Sequence, residues 1–307
     1  MKKTVRILCL FLSTFFITHT FAQSTILSVN SFSAVQQIIA NVPNPHHTLV
    51  ALDDDDTLTM EPCPPYSVGI DPNTQCQYLG GPAWFSWQQS LPVNDPDRIW
   101  TTFPQLLAIQ DLLFSMSAMP LDDPAIPAAL QTISDVGAHV IVASARGYNM
   151  TDTTESQLAQ DGILNAIETR ALPTKRHGKE ISFPGDYMPT QWSPASVRPI
   201  AYEHGILYLA GQNKGIMLQQ FLAKTHETKH IRDIIFVDDT MQNVTDVANA
   251  YQDDPSVNVL CIHYTRLEAH KAALTTGKDV KQLQVIAAQE WKAVEVSMKR
   301  NLPGSNF

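Results

Sequence analysis

Beyond its first 22 residues the sequence has no hydrophobic run long enough to span a bilayer, which excludes further membrane helices. Positive charge is scarce as well. The chain carries 21 Lys and Arg against 30 Asp and Glu, a net −9 over 307 residues. Such an acidic surface argues against a nucleic-acid partner, whose phosphates need Lys and Arg. Repeats and low-complexity tracts are missing. With 44% hydrophobic and 17% charged residues the balance is that of a globular chain, not a disordered one. Cysteine is limited to four residues. Cys9 lies in the N-terminal run, and Cys261 sits in an apolar segment and reads as a buried thiol. Cys63 and Cys76 share a Pro-rich loop, where an oxidising compartment would allow a disulfide; two free thiols are the other reading. His46, His47, His177 and His204 lack the spacing of a zinc site, so no zinc is assigned.

The N-terminus has the form of a targeting segment. Lys2, Lys3 and Arg6 precede the apolar run Ile7 to Phe16, and Thr20-Phe21-Ala22 offers a cleavage point before Gln23. A signal peptide over 1–22 is therefore expected, with a single anchor as the competing reading. Cleavage leaves no stable membrane anchor and takes the net charge to −12, with 18 basic and 30 acidic residues. The mature chain, 23–307, would be periplasmic or secreted.

Apolar runs and turn residues set out the architecture. An amphipathic helix is predicted over Ser31 to Asn41, then a buried strand Thr48–Leu52. Residues 60–100 read as irregular. Helices are predicted near 104–118, 124–137, 153–170, 213–225 and 241–252, with two more at the end. His139 to Ala143, Asp233 to Val237 and Val257 to His263 read as buried strands, and Arg198 to Ala210 as a hairpin turning at His204-Gly205. Alternating strands and helices predict an α/β fold: a Rossmann-like, mainly parallel sheet with helices on both faces.

Chemistry-bearing residues recur where the apolar strands end, the edge at which open parallel sheets bind ligands. Asp53 to Asp56 follow the first buried strand, Ser144 the second, and Asp238 and Asp239 the third. On an extended chain Asp53 and Asp55 project to one side, so they can divide nucleophile and acid/base roles. An EF-hand calcium loop would want Gly at the sixth position, where this chain has Leu58. Six carboxylates near one another are costly without a cation. Oxygen-only ligands suit Mg²⁺, which leaves room for a substrate phosphate. Lys214, near a helix start, fits a phosphate clamp, and Ser144 with nearby N–H groups can hold a phosphate oxygen. Arg146 reads equally as a substrate contact or a surface salt bridge.

These residues, in this order, resemble the motifs of the haloacid-dehalogenase (HAD) superfamily. The matching segments are Asp53-Asp54-Asp55-Asp56-Thr57-Leu58, Val140 to Ser144 with Arg146, Lys214 in Asn213-Lys214-Gly215, and Ile234 to Asp239 followed by Asn243. The match spans roughly residues 48–264, and four motifs in order make it specific. A secreted bacterial branch is suggested by the tryptophan-containing insertion. The resemblance implies a HAD-like core with a cap insertion near 60–122 and a second insertion near 172–208. It implies Asp53 as nucleophile, forming an aspartyl-phosphate, and Asp55 as acid and base. Mg²⁺ would sit on Asp53, Asp55 (through its carbonyl) and Asp239, with Asp238 or Asn243 in support. Ser144 and Lys214 would hold the phosphoryl group of a small phosphorylated substrate. Asn243 stands where the family often has an acidic residue, which would weaken the metal site.

Trp84, Trp87 and Trp100 in the cap would line a substrate pocket or pack the cap on its core. Arg176, His177, Lys179 and Trp192 in the second insertion would cover the site or form a surface loop. The function expected is an exported, Mg-dependent phosphomonoesterase. The alternative is a non-catalytic secreted binding protein on the same scaffold, against which stands the presence of Asp55 and Lys214. Dehalogenation is disfavoured, since it would not need Asp55 or magnesium.

Overall fold

The structure is a computed structural model that describes residues 24–176, 179–189, 197–302 and 304, with the backbone alone at residues 176 and 180. The segment 1–22, Gln23, His177 and Trp192 lie outside the described residues, as does the side chain of Arg176. No described helix is long and apolar enough to cross a membrane.

The described chain opens with strand β1 (Ser24–Val29), helix α1 (Phe32–Ala40) and strand β2 (Thr48–Leu52). Helices α2 (Pro82–Ser90), α3 (Phe103–Met116) and α4 (Ile126–Val136) come before strand β3 (His139–Ser144). Helices α5 (Thr151–Gln160) and α6 (Leu164–Arg170) lead to strands β4 (Lys175–Arg176), β5 (Lys179–Glu180), β6 (Phe183–Tyr187), β7 (Ile200–Glu203) and β8 (Ile206–Tyr208). The rest runs through α7 (Lys214–Lys224), β9 (Asp233–Asp238), α8 (Met241–Tyr251), β10 (Asn258–Tyr264), α9 (Glu268–Lys271) and α10 (Val280–Asn301).

The fold is α/β. Its main sheet has the order β1-β10-β9-β2-β3-β8-β7-β6. Pairing is parallel from β1 through β8 in that order, and antiparallel from β8 to β7 and from β7 to β6. Strand β2 is the seed. All five of its residues are buried, because side chains alternate across a strand and both faces are covered. Val50 and Leu52 enter one core, with residues of α1, α4 and α6. Leu49 and Ala51 enter the other, with residues of α7 and α8. Helices thus cover both faces, as the unbroken apolar runs predicted.

From β2 the chain reaches β3 on one side and later β9 on the other. That makes β2 a topological switch point, where adjacent connections diverge and leave a crevice beyond the strands' carboxyl ends.

Several elements differ from expectation. The predicted helix 153–170 is two helices, broken where Gly162 takes φ 75°, a conformation that ends a helix at little cost to glycine. Helix α2 lies inside the stretch read as irregular; Pro82 at its first turn is suited to that position. Strand β1 was not read because its pattern is that of a half-exposed edge. Part of the expected second insertion, 172–208, instead extends the main sheet as β6, β7 and β8.

The expected cap region gains a partner from the far end of the chain. Trp84, Trp87, Leu106, Ile109 and Leu113 share an apolar cluster with Leu274, Ala287 and Trp291. Cys63 and Cys76 are joined as a disulfide at the start of this region.

Candidate active site

The strand register brings the acidic tips together. Leu52 of β2 is level with Val237 of β9, and the Asp53 N–H continues the ladder to the Val237 carbonyl at 2.9 Å. Asp53 and Asp238 therefore sit side by side, though 185 positions separate them in sequence. Oxygens of Asp53, Asp238 and Asp239 lie within 4.8 Å of one another, and all three residues are buried.

Lys214 completes the group. Its ammonium donates to Asp53 Oδ1 at 2.5 Å and to Asp238 Oδ2 at 2.8 Å, and the residue is 2% exposed. Two local features put it there. Asn213 caps α7, its Oδ1 accepting from the Ile216 N–H at 2.9 Å. The next residue, Gly215, lets α7 approach α8 closely, because a Cβ at 215 would stand 2.3 Å from the Asp246 carbonyl oxygen. Asn213-Lys214-Gly215 is thus one device: cap, cation and contact point.

The electrostatics follow from burial. Three carboxylates meet two lysines, Lys214 on Asp53 and Asp238 and Lys271 on Asp239. Desolvation first, then Asp238 and Asp239, raises the Asp53 pKa well above the usual carboxylate range, and Lys214 only partly opposes this. Asp239 is pushed up to about 6, chiefly by burial, with Lys271 opposing. Lys214 is held firmly in its charged form: burial works against the charge, but Asp238 and Asp53 outweigh it. An oxygen-only donor set with surplus negative charge fits a hard divalent cation such as Mg²⁺.

Asp238 is the braced member. It accepts from Lys214, from the Thr240 N–H at 2.8 Å and from Asn243 Nδ2 at 3.0 and 3.1 Å. Asn243 therefore acts on Asp238 and supports the site from behind. Asp239 pairs with Lys271, and its N–H donates to Thr57 Oγ1 at 3.2 Å.

The four-aspartate run is not extended, contrary to the expectation for Asp53 and Asp55. The Asp54 carbonyl accepts from the N–H groups of Thr57, Leu58 and Thr59, which folds the segment into a tight turn. Asp54 is fully buried and accepts from the Thr59 hydroxyl at 2.9 Å. The Asp55 carboxylate does not join the other three. It turns to Arg146, which donates from Nη2 at 2.6 Å and Nε at 3.1 Å.

Arg146 is neither a surface salt bridge nor a free substrate contact. It is buried, and Nη1 also donates to Thr154 Oγ1 at 2.9 Å and Gln157 Oε1 at 2.8 Å. The guanidinium lies 4.4 Å over the Phe114 ring. With all three nitrogens engaged, and Nη1 also 3.4 Å from Asp54 Oδ2, it fixes the direction of Asp55. Ser144 is fully buried at the tip of β3, its Oγ accepting from the Arg146 N–H at 3.2 Å. Trp84 and Trp87 are 0% and 2% exposed, pack towards α10 and line a cavity there with Arg98 and Trp291. Trp100 donates through Nε1 to the Gln88 carbonyl at 2.9 Å, with Arg98 stacked 3.5 Å above its ring.

Sequence reasoning missed Lys271 and His263. His263 Nε2 lies 3.1 Å from the Asp239 carbonyl oxygen. The available signal was positional: β10 is the next parallel strand after β9, and His263 pairs with Asp238.

Fold and site together define an α/β protein with a buried lysine–carboxylate centre at the switch point of a mainly parallel sheet. The chain belongs to the family described as "Protein of unknown function (DUF2608)", whose model matches residues 28–301. No curated protein matches it. One solved structure it is similar to is that of cytosolic 5'-nucleotidase IIIB bound to cytidine. The identity is 11% over 87% of this chain and 93% of that one, with a TM-score of 0.36.

Proposed function

We propose that this chain is a Mg²⁺-dependent phosphomonoesterase of the HAD type, working through an aspartyl-phosphate on Asp53. The observation that carries the reading is Lys214, buried between Asp53 and Asp238 at the tips of adjacent parallel strands. The four motifs described above support it.

Lys214 engages Oδ1 of Asp53, so the other oxygen is the one available to attack phosphorus. The new Asp53–phosphorus bond forms as the bond to the ester oxygen breaks, and Asp55 supplies the proton that the leaving oxygen takes up. Asp55 then removes a proton from water as the water displaces Asp53 and frees phosphate. Lys214 and the Ser144 hydroxyl stabilise the phosphoryl oxygens where charge develops. A divalent cation held by Asp53 and Asp239, with Asp238 behind them, would neutralise the surplus charge and polarise the phosphoryl group.

The direct test is hydrolysis of an aryl phosphate with Mg²⁺ and with chelator. Activity should vanish in chelator and return on adding Mg²⁺; full activity in chelator defeats the reading. Protons compete for the same carboxylates. Burial pushes Asp239 up to about 6 and holds Asp53 well above the usual carboxylate range, so acidification should weaken Mg²⁺ affinity, about tenfold per pH unit for each proton displaced. A metal requirement unchanged between pH 7 and pH 5 would contradict this site.

Arg146 enters as a positioning residue. Arg146→Gln should lower kcat roughly 10- to 100-fold with little change in KM, since Asp55 loses its orientation. A raised KM with kcat intact would place Arg146 on the substrate instead.

A further inference from the structure

A second group of potential ligands lies beside the first and has no part in the chemistry above. Asp56, Glu61 and His270 are all buried, and each offers a ligand atom within 4.8 Å of the others. Their exposures are 0%, 1% and 2%. Neither oxygen of Asp56 has a hydrogen-bond partner, and Glu61 Oε1 and His270 Nδ1 are likewise unsatisfied. Only a long contact, His270 Nε2 to Glu61 Oε2 at 3.4 Å, links the group. Leaving a buried carboxylate without any partner is costly, and native proteins rarely do so.

The surroundings hold these side chains in place. Asp56 adopts φ 59° at the end of the aspartate turn, a left-handed conformation that fixes where its carboxylate points. Glu61 lies against the start of α2, where a Cβ on Gly81 would fall 1.1 Å from Glu61 Oε1. Glycine at 81 therefore leaves the space that the carboxylate fills. The His270 ring is stacked on Tyr78 at 4.7 Å and meets the edge of Tyr66 at 6.2 Å. Tyr66 lies inside the loop that the Cys63–Cys76 bridge closes, and Tyr78 lies two residues beyond it. Rings and carboxylates locked in this way are what an outer shell does for a ligand set.

We propose that Asp56, Glu61 and His270 form a binding site for a divalent transition-metal ion, with Zn²⁺ as the representative occupant. One imidazole and two carboxylates favour such an ion over Mg²⁺ or Ca²⁺, which prefer all-oxygen sets. An ion with bonds of roughly 2.0–2.2 Å would draw the three ligand atoms together and satisfy the Asp56 carboxylate. Lys271 partly offsets the charge of Asp56, but its ammonium is engaged by Asp239 and Thr240. The site ties three distant pieces together: the turn after the nucleophile, the start of the cap region, and α9. Its role is therefore structural, holding the Asp53–Asp55 turn in place. A proton shared between Asp56 and Glu61 is the competing way to neutralise the group.

The test uses the full chain without an affinity tag, stripped with chelator, then given Zn²⁺ in a large excess of Mg²⁺ that fills the Asp53 site. One equivalent of zinc should remain after dialysis. At a hundredfold excess over Kd it should raise Tm by about 5 °C. His270→Gln and Asp56→Asn should lose both effects, whereas Asp239→Asn should keep the zinc. No zinc uptake by the wild type overturns the proposal, as does full uptake by both His270→Gln and Asp56→Asn. If those variants do not fold, X-ray absorption of the zinc-loaded wild type decides. One imidazole with oxygen ligands supports the site, and the absence of imidazole scattering overturns it.

Discussion

Asp53→Asn is expected to abolish aryl-phosphate turnover, lowering kcat by at least about 10³-fold, while the protein stays folded. The amide keeps the shape of the side chain but cannot form the bond to phosphorus. Stability should not suffer, and the physics gives the sign. Burial and two neighbouring carboxylates already disfavour a charged Asp53, so a neutral isostere relieves repulsion in metal-free protein. Circular dichroism and a melting curve in chelator check the fold, and single-turnover kinetics with Mg²⁺ check the chemistry. Robust multiple turnover by Asp53→Asn would end the aspartyl-phosphate mechanism and leave a different group as nucleophile.

Lys214→Met should damage stability as well as rate. The ammonium is the counter-charge for buried Asp238 at 2.8 Å and also donates to Asp53 at 2.5 Å. Removing one partner of such a set leaves uncompensated charge, which costs about 3–5 kcal/mol. In chelator the melting temperature should therefore drop sharply, and Mg²⁺ should restore part of it. The rate should fall roughly 10²- to 10³-fold even with Mg²⁺ present, because a fixed cation facing the phosphoryl group is gone. Adding Asp238→Asn to Lys214→Met separates the two effects. The double variant should regain stability by removing one orphaned charge, yet remain inactive. A Lys214→Met protein that melts like the wild type in chelator would show that the lysine does not neutralise this centre.

Much of this site could be read from residue order. Apolar strands followed at once by Asp53, Ser144 and Asp238-Asp239 reveal the sheet edge, since a parallel sheet gathers its strand tips on one side. Asn213-Lys214-Gly215 was legible as a helix start for the same kind of local reason. What stayed hidden depends on pairing between distant positions. Nothing in the spacing says that Arg146 spends its fork on Asp55, because a guanidinium looks alike in sequence whether buried or exposed. The turn at Asp54 was misread as extended because its three carbonyl-centred hydrogen bonds leave no periodic trace. His270 and Glu61 lie 209 positions apart, and the sequence gives no hint that a histidine near the end of the chain meets the aspartate turn. Helix α2 was missed because its buried residues, Ala83, Trp84, Trp87 and Gln88, mix apolar and polar types and give no clean stripe.

The pairing of Trp84 with Trp291, ring centres 6.3 Å apart, also governs the order in which the protein can be completed. A ribosome delivers residues 79–113 early, with their apolar side chains ready but Ala287 and Trp291 still unmade. Sheet strands β2 and β3 can pair meanwhile, whereas the tryptophan layer stays wet until Ala287 and Trp291 have been made. Anything that shields exposed aromatic surface on a nascent chain would therefore find its work here, and a nonsense codon ahead of position 291 would strand that surface permanently in water.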